Sequence, residues 1–254
     1  MSQHIFNSNI CRILFATCLS ALCLIALSTQ AATITVTNTN DSGAGSLRQA
    51  IADAHDGDTV EFGVTGTITL TTGGLPVNKA ISINGPGPDH LTVDGNHASG
   101  VFQVQLDGGG AATIAGLTIT NGNANRGGGI SNEFSMLTVS NCTISGNSAP
   151  DVFGVGGGIF NDVAFSNATL EILNCTISGN SAGDNGGGIY NGGNYSDPIL
   201  KIGDTILNAG PSGANIHNES GTTISLGYNL SSDNGGGYLT ATGDRINTDP
   251  KLGP

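Results

Sequence analysis

Between Leu117 and Asn218, apolar residues fall at alternate positions in runs of two to five, and Gly or Asn closes each run. Alternation over such short runs predicts β-strands with one buried face and fits no helical period. Leu137-Thr-Val139 and Leu170-Glu-Ile172 open consecutive units, and Asn141 or Asn174 turns the chain. A second strand follows, Cys142-Thr-Ile144 or Cys175-Thr-Ile177, and Ser-Gly-Asn bends it again. Gly-Gly-Gly-Ile-x-Asn supplies a third strand and its exit.

These units repeat. LTITNGNANRGGGISN from Leu117, CTISGNSAPDVFGVGGGIFN from Cys142 and CTISGNSAGDNGGGIYN from Cys175 are near copies, and DTILNAGPSGANIHN from Asp204 is a fainter one. Ile130, Ile159, Ile189 and Ile216 lie 29, 30 and 27 residues apart, and Ile119, Ile144, Ile177 and Ile206 form a second set. Three short strands in a period of ~29 residues predict an all-β parallel β-helix solenoid, because propeller blades need ~40–45 residues and leucine-rich repeats a helical half. Upstream the period is degraded, with short strands at Val60–Phe62, Ile68–Leu70, Ile81–Ile83, Leu91–Val93 and Val101–Val104. One short helix is predicted before them. Ser46-Leu-Arg-Gln49 fits a capping box, and Leu47, Ala50, Ile51 and Ala54 share one face. This helix is expected to cover the N-terminal end of the solenoid. The β-helix domain is placed at 33–254, with its N-terminal cap at about 33–58 and its clearest repeats at 112–218. Asn247–Pro254 is turn-rich and offers no comparable cap, so that end is expected to pair or aggregate. A truncated product or one module of a longer protein would both give such an end.

Composition narrows the function classes. Gly is 41 of 254 residues, more than twice the usual share of ~7%. Charged residues are 10%, against a usual ~25%. A helical bundle is excluded, since Gly and Asn are poor helix formers. Net charge is −12, with seven Lys+Arg against nineteen Asp+Glu. Without a Lys/Arg cluster the chain has no footprint for nucleic acid or an anionic membrane, and a polyanionic sugar would need a bridging cation.

The N-terminus reads as a targeting segment. Arg12 precedes the apolar run Leu19–Leu27, and small residues follow at Ser28, Thr29, Ala31 and Ala32. The run is shorter than the ~20 residues of a membrane span, so residues 1–31 are read as a cleaved secretory signal peptide. Leu22 before Cys23 disfavours a lipid anchor. A secreted or cell-surface location is expected, with no transmembrane segment after cleavage. Cys11, Cys18 and Cys23 would leave with the signal, and Cys142 and Cys175 would remain.

The Gly-Gly-Gly-Ile-x-Asn units at 127–132, 156–161 and 186–191, with Cys-Thr-Ile-Ser-Gly-Asn-Ser-Ala at 142–149 and 175–182, resemble bacterial right-handed parallel β-helix proteins of the pectate-lyase-like fold. More narrowly they resemble polymorphic outer-membrane-protein repeats, although Gly stands where that motif often has Ala. The opening Thr35–Ile51 resembles the start of such secreted repeat proteins. The resemblance covers about 33–250 and implies a right-handed solenoid, a fold that hosts lyases, hydrolases, adhesins and passive passenger domains.

Candidate chemistry is sparse. Asn132, Asn161, Asn191 and Asn218 close equivalent strands, and Asn147 and Asn180 follow equivalent bends. Stacked amides that satisfy backbone groups at tight corners explain them without a ligand. Cys142 and Cys175 occupy equivalent sites on consecutive turns, as two buried thiols in an internal stack or as a disulfide. Asp151 and Asp184 follow the same phrase, and Arg126 lies in the corresponding loop one turn earlier. These three are either solvated turns or a site in which the two carboxylates bind calcium and Arg126 acts as base on an acidic sugar. Asn247-Thr-Asp249 matches one motif of galacturonan hydrolases, but the three companion motifs are missing. No His pairs with a nucleophile, and no Lys-Ser/Thr follows the Gly triplets. Regular repeats, short loops and no convergent catalytic set point to an exported, non-enzymatic scaffold with an adhesin-like or carbohydrate-binding role. Its partner would be an extracellular carbohydrate or a host or cell-surface ligand. The alternative is a polysaccharide lyase or glycoside hydrolase acting on acidic polysaccharide.

Overall fold

The computed structural model describes residues 30–106, 110–162, 169–193 and 197–253. The expected signal peptide falls outside the described residues apart from Gln30 and Ala31. No described helix is long and apolar enough to cross a membrane.

Ala31–Pro254 forms one compact unit, a parallel β-helix. Its first sheet has eight strands: β1 (Thr33–Val36), β2 (Thr59–Phe62), β5 (Ser82–Asn84), β8 (Ala111–Ala115), β11 (Met136–Ser140), β15 (Thr169–Leu173), β19 (Ile199–Gly203) and β22 (Thr222–Gly227). The second has seven: β3 (Gly66–Thr69), β6 (Leu91–Asp94), β9 (Thr118–Thr120), β12 (Thr143–Ser145), β16 (Thr176–Ser178), β20 (Ile206–Asn208) and β23 (Leu230–Ser231). The third has six: β4 (Leu75–Val77), β7 (Phe102–Gln105), β10 (Ile130–Glu133), β14 (Ile159–Asp162), β18 (Ile189–Asn191) and β21 (Ile216–Asn218). A minor pair, β13 (Ser148–Ala149) and β17 (Ser181–Ala182), bridges two loops. From β2 to β21 the chain visits the three sheets in that order on every turn, and each strand pairs in parallel with its equivalent on the next turn.

In-register stacking builds the core. Ile114, Val139, Ile172 and Ile202 stand opposite one another on the first sheet. Ile119, Ile144, Ile177 and Leu207 do so on the second, and Ile130, Ile159, Ile189 and Ile216 on the third. All are buried, and each buried side chain of this size contributes ~1.5–3 kcal/mol. One equivalence expected from the sequence is off by a residue. Leu207, not Ile206, continues the inner row, because Ile206 stands opposite Thr176. The faint repeat puts Asp204, not Gly203, at the corner held by Asn174, and both corner residues have φ of 51°. From Gly116 onward a single left-handed residue makes this corner on each turn, and Asn and Asp tolerate it better than other side-chain-bearing residues.

The two ends differ. Helix α1 (Leu47–Asp53) buries Leu47, Ala50 and Ile51 and packs against β1 and β4, the first strands of two sheets. Ser46 Oγ caps it by accepting from the Gln49 backbone N–H at 3.2 Å. At the far end the interior turns polar. Thr205 and Asn229 continue the stack of Leu117, Cys142 and Cys175, with the Cys175 N–H donating to Thr205 Oγ1 and the Thr205 N–H to Asn229 Oδ1. The segment after β23 folds back over this end. A turn at Gly235–Gly237 packs on β21, and Arg245 bridges to Leu230 of β23.

Candidate functional site

The third sheet separates inward-facing from outward-facing side chains. Its strands alternate, so the Asn residues that close them point inward and their neighbours outward. Asn132 Nδ2 donates to Asn161 Oδ1 at 2.7 Å, Asn161 to Asn191 at 2.7 Å, Asn191 to Asn218 at 2.6 Å, and Asn218 to the Gly221 carbonyl at 2.6 Å. Asn147 and Asn180 form a second buried ladder. Asn147 Oδ1 accepts from the Gly122 N–H, and Asn180 Oδ1 from both the N–H and the Nδ2 of Asn147. These six amides spend their hydrogen bonds on the fold. Cys142 and Cys175 are free, buried thiols. The hydrogen bond that the Cys142 thiol donates to Cys175, together with burial, pushes the Cys142 thiol well above its ordinary pKa.

Outward on the same strands, Gln103, Ser131, Phe160, Tyr190 and His217 form one row in register. Phe160 and Tyr190 stack with centroids 5.5 Å apart, as do Tyr190 and His217, and the Arg126 guanidinium lies 5.4 Å over the Phe160 ring. The stack therefore runs along the solenoid axis, with ring faces covering one another. A second outward row begins with Gln105, Glu133 and Asp162. Tyr190 Oη donates to Glu219 Oε2 across these rows.

Three clefts lie along this face and share walls. One of about 320 Å³ and one of about 180 Å³ both use Gln103 and Gln105. The latter meets a third, of about 330 Å³, at Arg126. That third cleft is lined by Arg126, Asp162, Asp184, Tyr190 and Glu219, with Phe153 among its walls. Phe153 is 84% exposed. It lies in the stretch Val152–Val155, where this loop is three residues longer than its counterpart one turn later.

Of the three residues singled out from the sequence, Arg126 and Asp184 share this cleft, and Asp151 does not line it. Among the described residues, no three or more His, Cys, Asp or Glu side chains are grouped so as to hold a metal ion. Phe153, Asp162, Tyr190 and Glu219 were not anticipated. The extra loop residues were the signal for Phe153, since they place an aromatic where neighbouring repeats have none, and the acid that follows the closing Asn at Glu133, Asp162 and Glu219 was the signal for the carboxylates. No family model, curated protein or solved structure matches the chain. The resemblance to pectate-lyase-like and outer-membrane repeat proteins thus rests on the quoted motifs, while the solenoid rests on the strand register.

Proposed function

We propose that this protein is an exported β-helix scaffold that binds neutral carbohydrate in the cleft beside Phe153, with an adhesin-like role at the cell surface or in the medium. The observation that carries the reading is an exposed aromatic on the rim of a cleft whose walls also hold Arg126, Tyr190 and three carboxylates. A few placed polar groups in a concave site fix orientation, and an apolar surface supplies area. Carboxylates at Asp162, Asp184 and Glu219 accept from hydroxyls, and Phe153 offers a face to the C–H side of a sugar ring. The same carboxylates oppose a polyuronate, because a single guanidinium faces three of them and the whole chain carries −12. The signal-like N-terminus and the resemblance to surface repeat proteins support export. The test is binding to an array of neutral and acidic glycans, repeated with Phe153→Ala. Loss of the hydrophobic face should weaken binding at least tenfold, the equivalent of ~1.4 kcal/mol. Exclusive binding of polygalacturonate, with unsaturated product released, would refute the reading in favour of a lyase.

A further inference from the structure

The second sheet turns two regular rows of mostly hydroxyl side chains outward. Thr67, Thr92, Thr118, Thr143 and Thr176 stand opposite one another on β3, β6, β9, β12 and β16. Two residues on, Thr69, Asp94, Thr120, Ser145 and Ser178 form a parallel row. Ile206 and Asn208 of β20 end the two rows, and no register shift interrupts the pairing from β3 to β20. Between the rows Ile68, Val93, Ile119, Ile144 and Ile177 are buried, so close core packing holds each rung from behind. The rungs recur at ~4.8 Å along the axis, and the two rows lie ~6.6 Å apart. β-branching restricts χ1 of Thr, which favours one orientation repeated from turn to turn. The fold makes little use of these hydroxyls. Thr118 Oγ1 donates to the Pro88 carbonyl at 2.8 Å and Thr120 Oγ1 to the Ser145 carbonyl at 2.7 Å. Among the described residues no hydrogen bond joins a hydroxyl of one rung to that of the next, whereas the buried Asn amides do bond from turn to turn. Asp94 is the one charged side chain in the two rows, and it accepts from the Asn96 N–H and Asn121 Nδ2.

An array that repeats one residue type over five turns is matched in full only by a surface that is itself periodic in two dimensions. A folded protein or a single glycan chain offers no such surface. We propose that this face binds ice. Its two repeats lie close to those at which oxygen atoms recur on the prism face of ice. Each hydroxyl both donates and accepts, so it can take the place of a lattice water, and each Thr methyl adds apolar contact between those waters. Ordering the face on binding costs little, because the core has already fixed it. The face lies on a different sheet from the aromatic row of the Phe153 cleft and works without it.

Partition of the purified protein into slowly growing ice tests this, together with the gap between the melting and freezing points of a single ice crystal. Enrichment in ice over an albumin control, faceted crystals and a measurable gap at submillimolar protein are expected. Thr143 lies in the middle of three adjoining uncharged rungs on β9, β12 and β16. A ring there lifts the face off a flat lattice, so Thr143→Tyr should reduce the gap at least tenfold, and Thr176→Tyr should do the same. Thr143→Ser keeps the hydroxyl and should retain part of the activity. Thr138→Tyr puts the same ring outward on the first sheet of the same turn and should leave the gap unchanged. All four positions face outward, and circular dichroism checks that each variant folds. Exclusion from ice at the level of albumin, full activity in folded Thr143→Tyr and Thr176→Tyr, or an equal loss in Thr138→Tyr would each overturn the proposal. So would retention on crystalline cellulose or chitin, lost in Thr143→Tyr, without partition into ice.

Discussion

Asn161→Ala probes the buried amide ladder most sharply. The Asn161 side chain is fully buried, accepts from Asn132 Nδ2 and donates to Asn191 Oδ1. Truncation removes both bonds, and with them the longer one from Asn161 Nδ2 to the Ile199 carbonyl. Asn132 Nδ2 keeps its bond to the Ser135 carbonyl, but Asn191 Oδ1 loses this donor in the interior. Two lost bonds at ~0.5–1.5 kcal/mol each, plus part of the ~1–3 kcal/mol cost of an orphaned buried acceptor, give a destabilisation of about 2–4 kcal/mol. For a domain of this size that lowers Tm by roughly 4–16 °C. The assay is thermal unfolding followed by circular dichroism, beside Asn141→Gly as a reference. Asn141 sits at φ 52° and joins only an exposed amide pair with Asn174, so Gly there should change Tm little. If Asn161→Ala shifts Tm no more than Asn141→Gly, the ladder is not a source of stability and the reasoning fails.

Further outcomes follow from the same packing. A Cβ at Gly157 would strike the Ser181 carbonyl oxygen on the next turn, whereas one at Gly179 meets nothing. Gly157→Ala should therefore abolish or severely impair folding, and Gly179→Ala should cost only ~1–2 kcal/mol for its left-handed φ; soluble yield and Tm distinguish them. Burial pushes the pKa of Asp244 up, but bonds from Ser225 Oγ, the Asn229 and Ala241 N–H groups and Asn229 Nδ2 outweigh it and leave it lowered. At Asp233 burial is likewise outweighed, by the N–H groups of Asn215 and Gly235, Ser231 Oγ and the Asn215 amide. The unfolded chain then binds more protons in acid. The stabilisation is complete above the ordinary Asp pKa of ~3.9 and is lost as pH falls through the lower folded values; Asp244→Asn should flatten that part of the Tm–pH profile. Cys142 and Cys175 should resist a thiol-specific reagent in the folded protein and react on denaturation, as both are buried and the Cys142 thiolate is disfavoured.

How much of this was legible depends on which residues repeat. Strand, corner and core rows could be read from Leu137–Ile144 and its copy at Leu170–Ile177, because in-register stacking makes every turn restate the same inward positions. The capping helix was equally plain from Ser46 and the apolar face behind it. The slip at Ile206 arose where the copy is faint, since Asp204 takes a corner that the letters, by matching Ile206 to Ile177, assign to Gly203. The cleft was less visible for a related reason. Phe153 sits where the repeats diverge, and although Asp162 and Glu219 both follow the closing Asn of their strands, no periodicity brings a loop insertion on one turn beside a carboxylate two turns away. Asp151 and Asp184 share a phrase, yet the longer loop after Asp151 breaks the equivalence, and only Asp184 reaches the cleft. The closed edges of β21 and β23 were hidden as well, because the turn-rich tail shows no strand pattern of its own.

The measurement that bears most directly on the central claim is glycan-array binding of the protein beside its Phe153→Ala variant. The account predicts retention on neutral glycans, a loss of at least tenfold in the variant, and no product released. Binding confined to polyuronates, or neutral-glycan binding that is indifferent to Phe153, would contradict it.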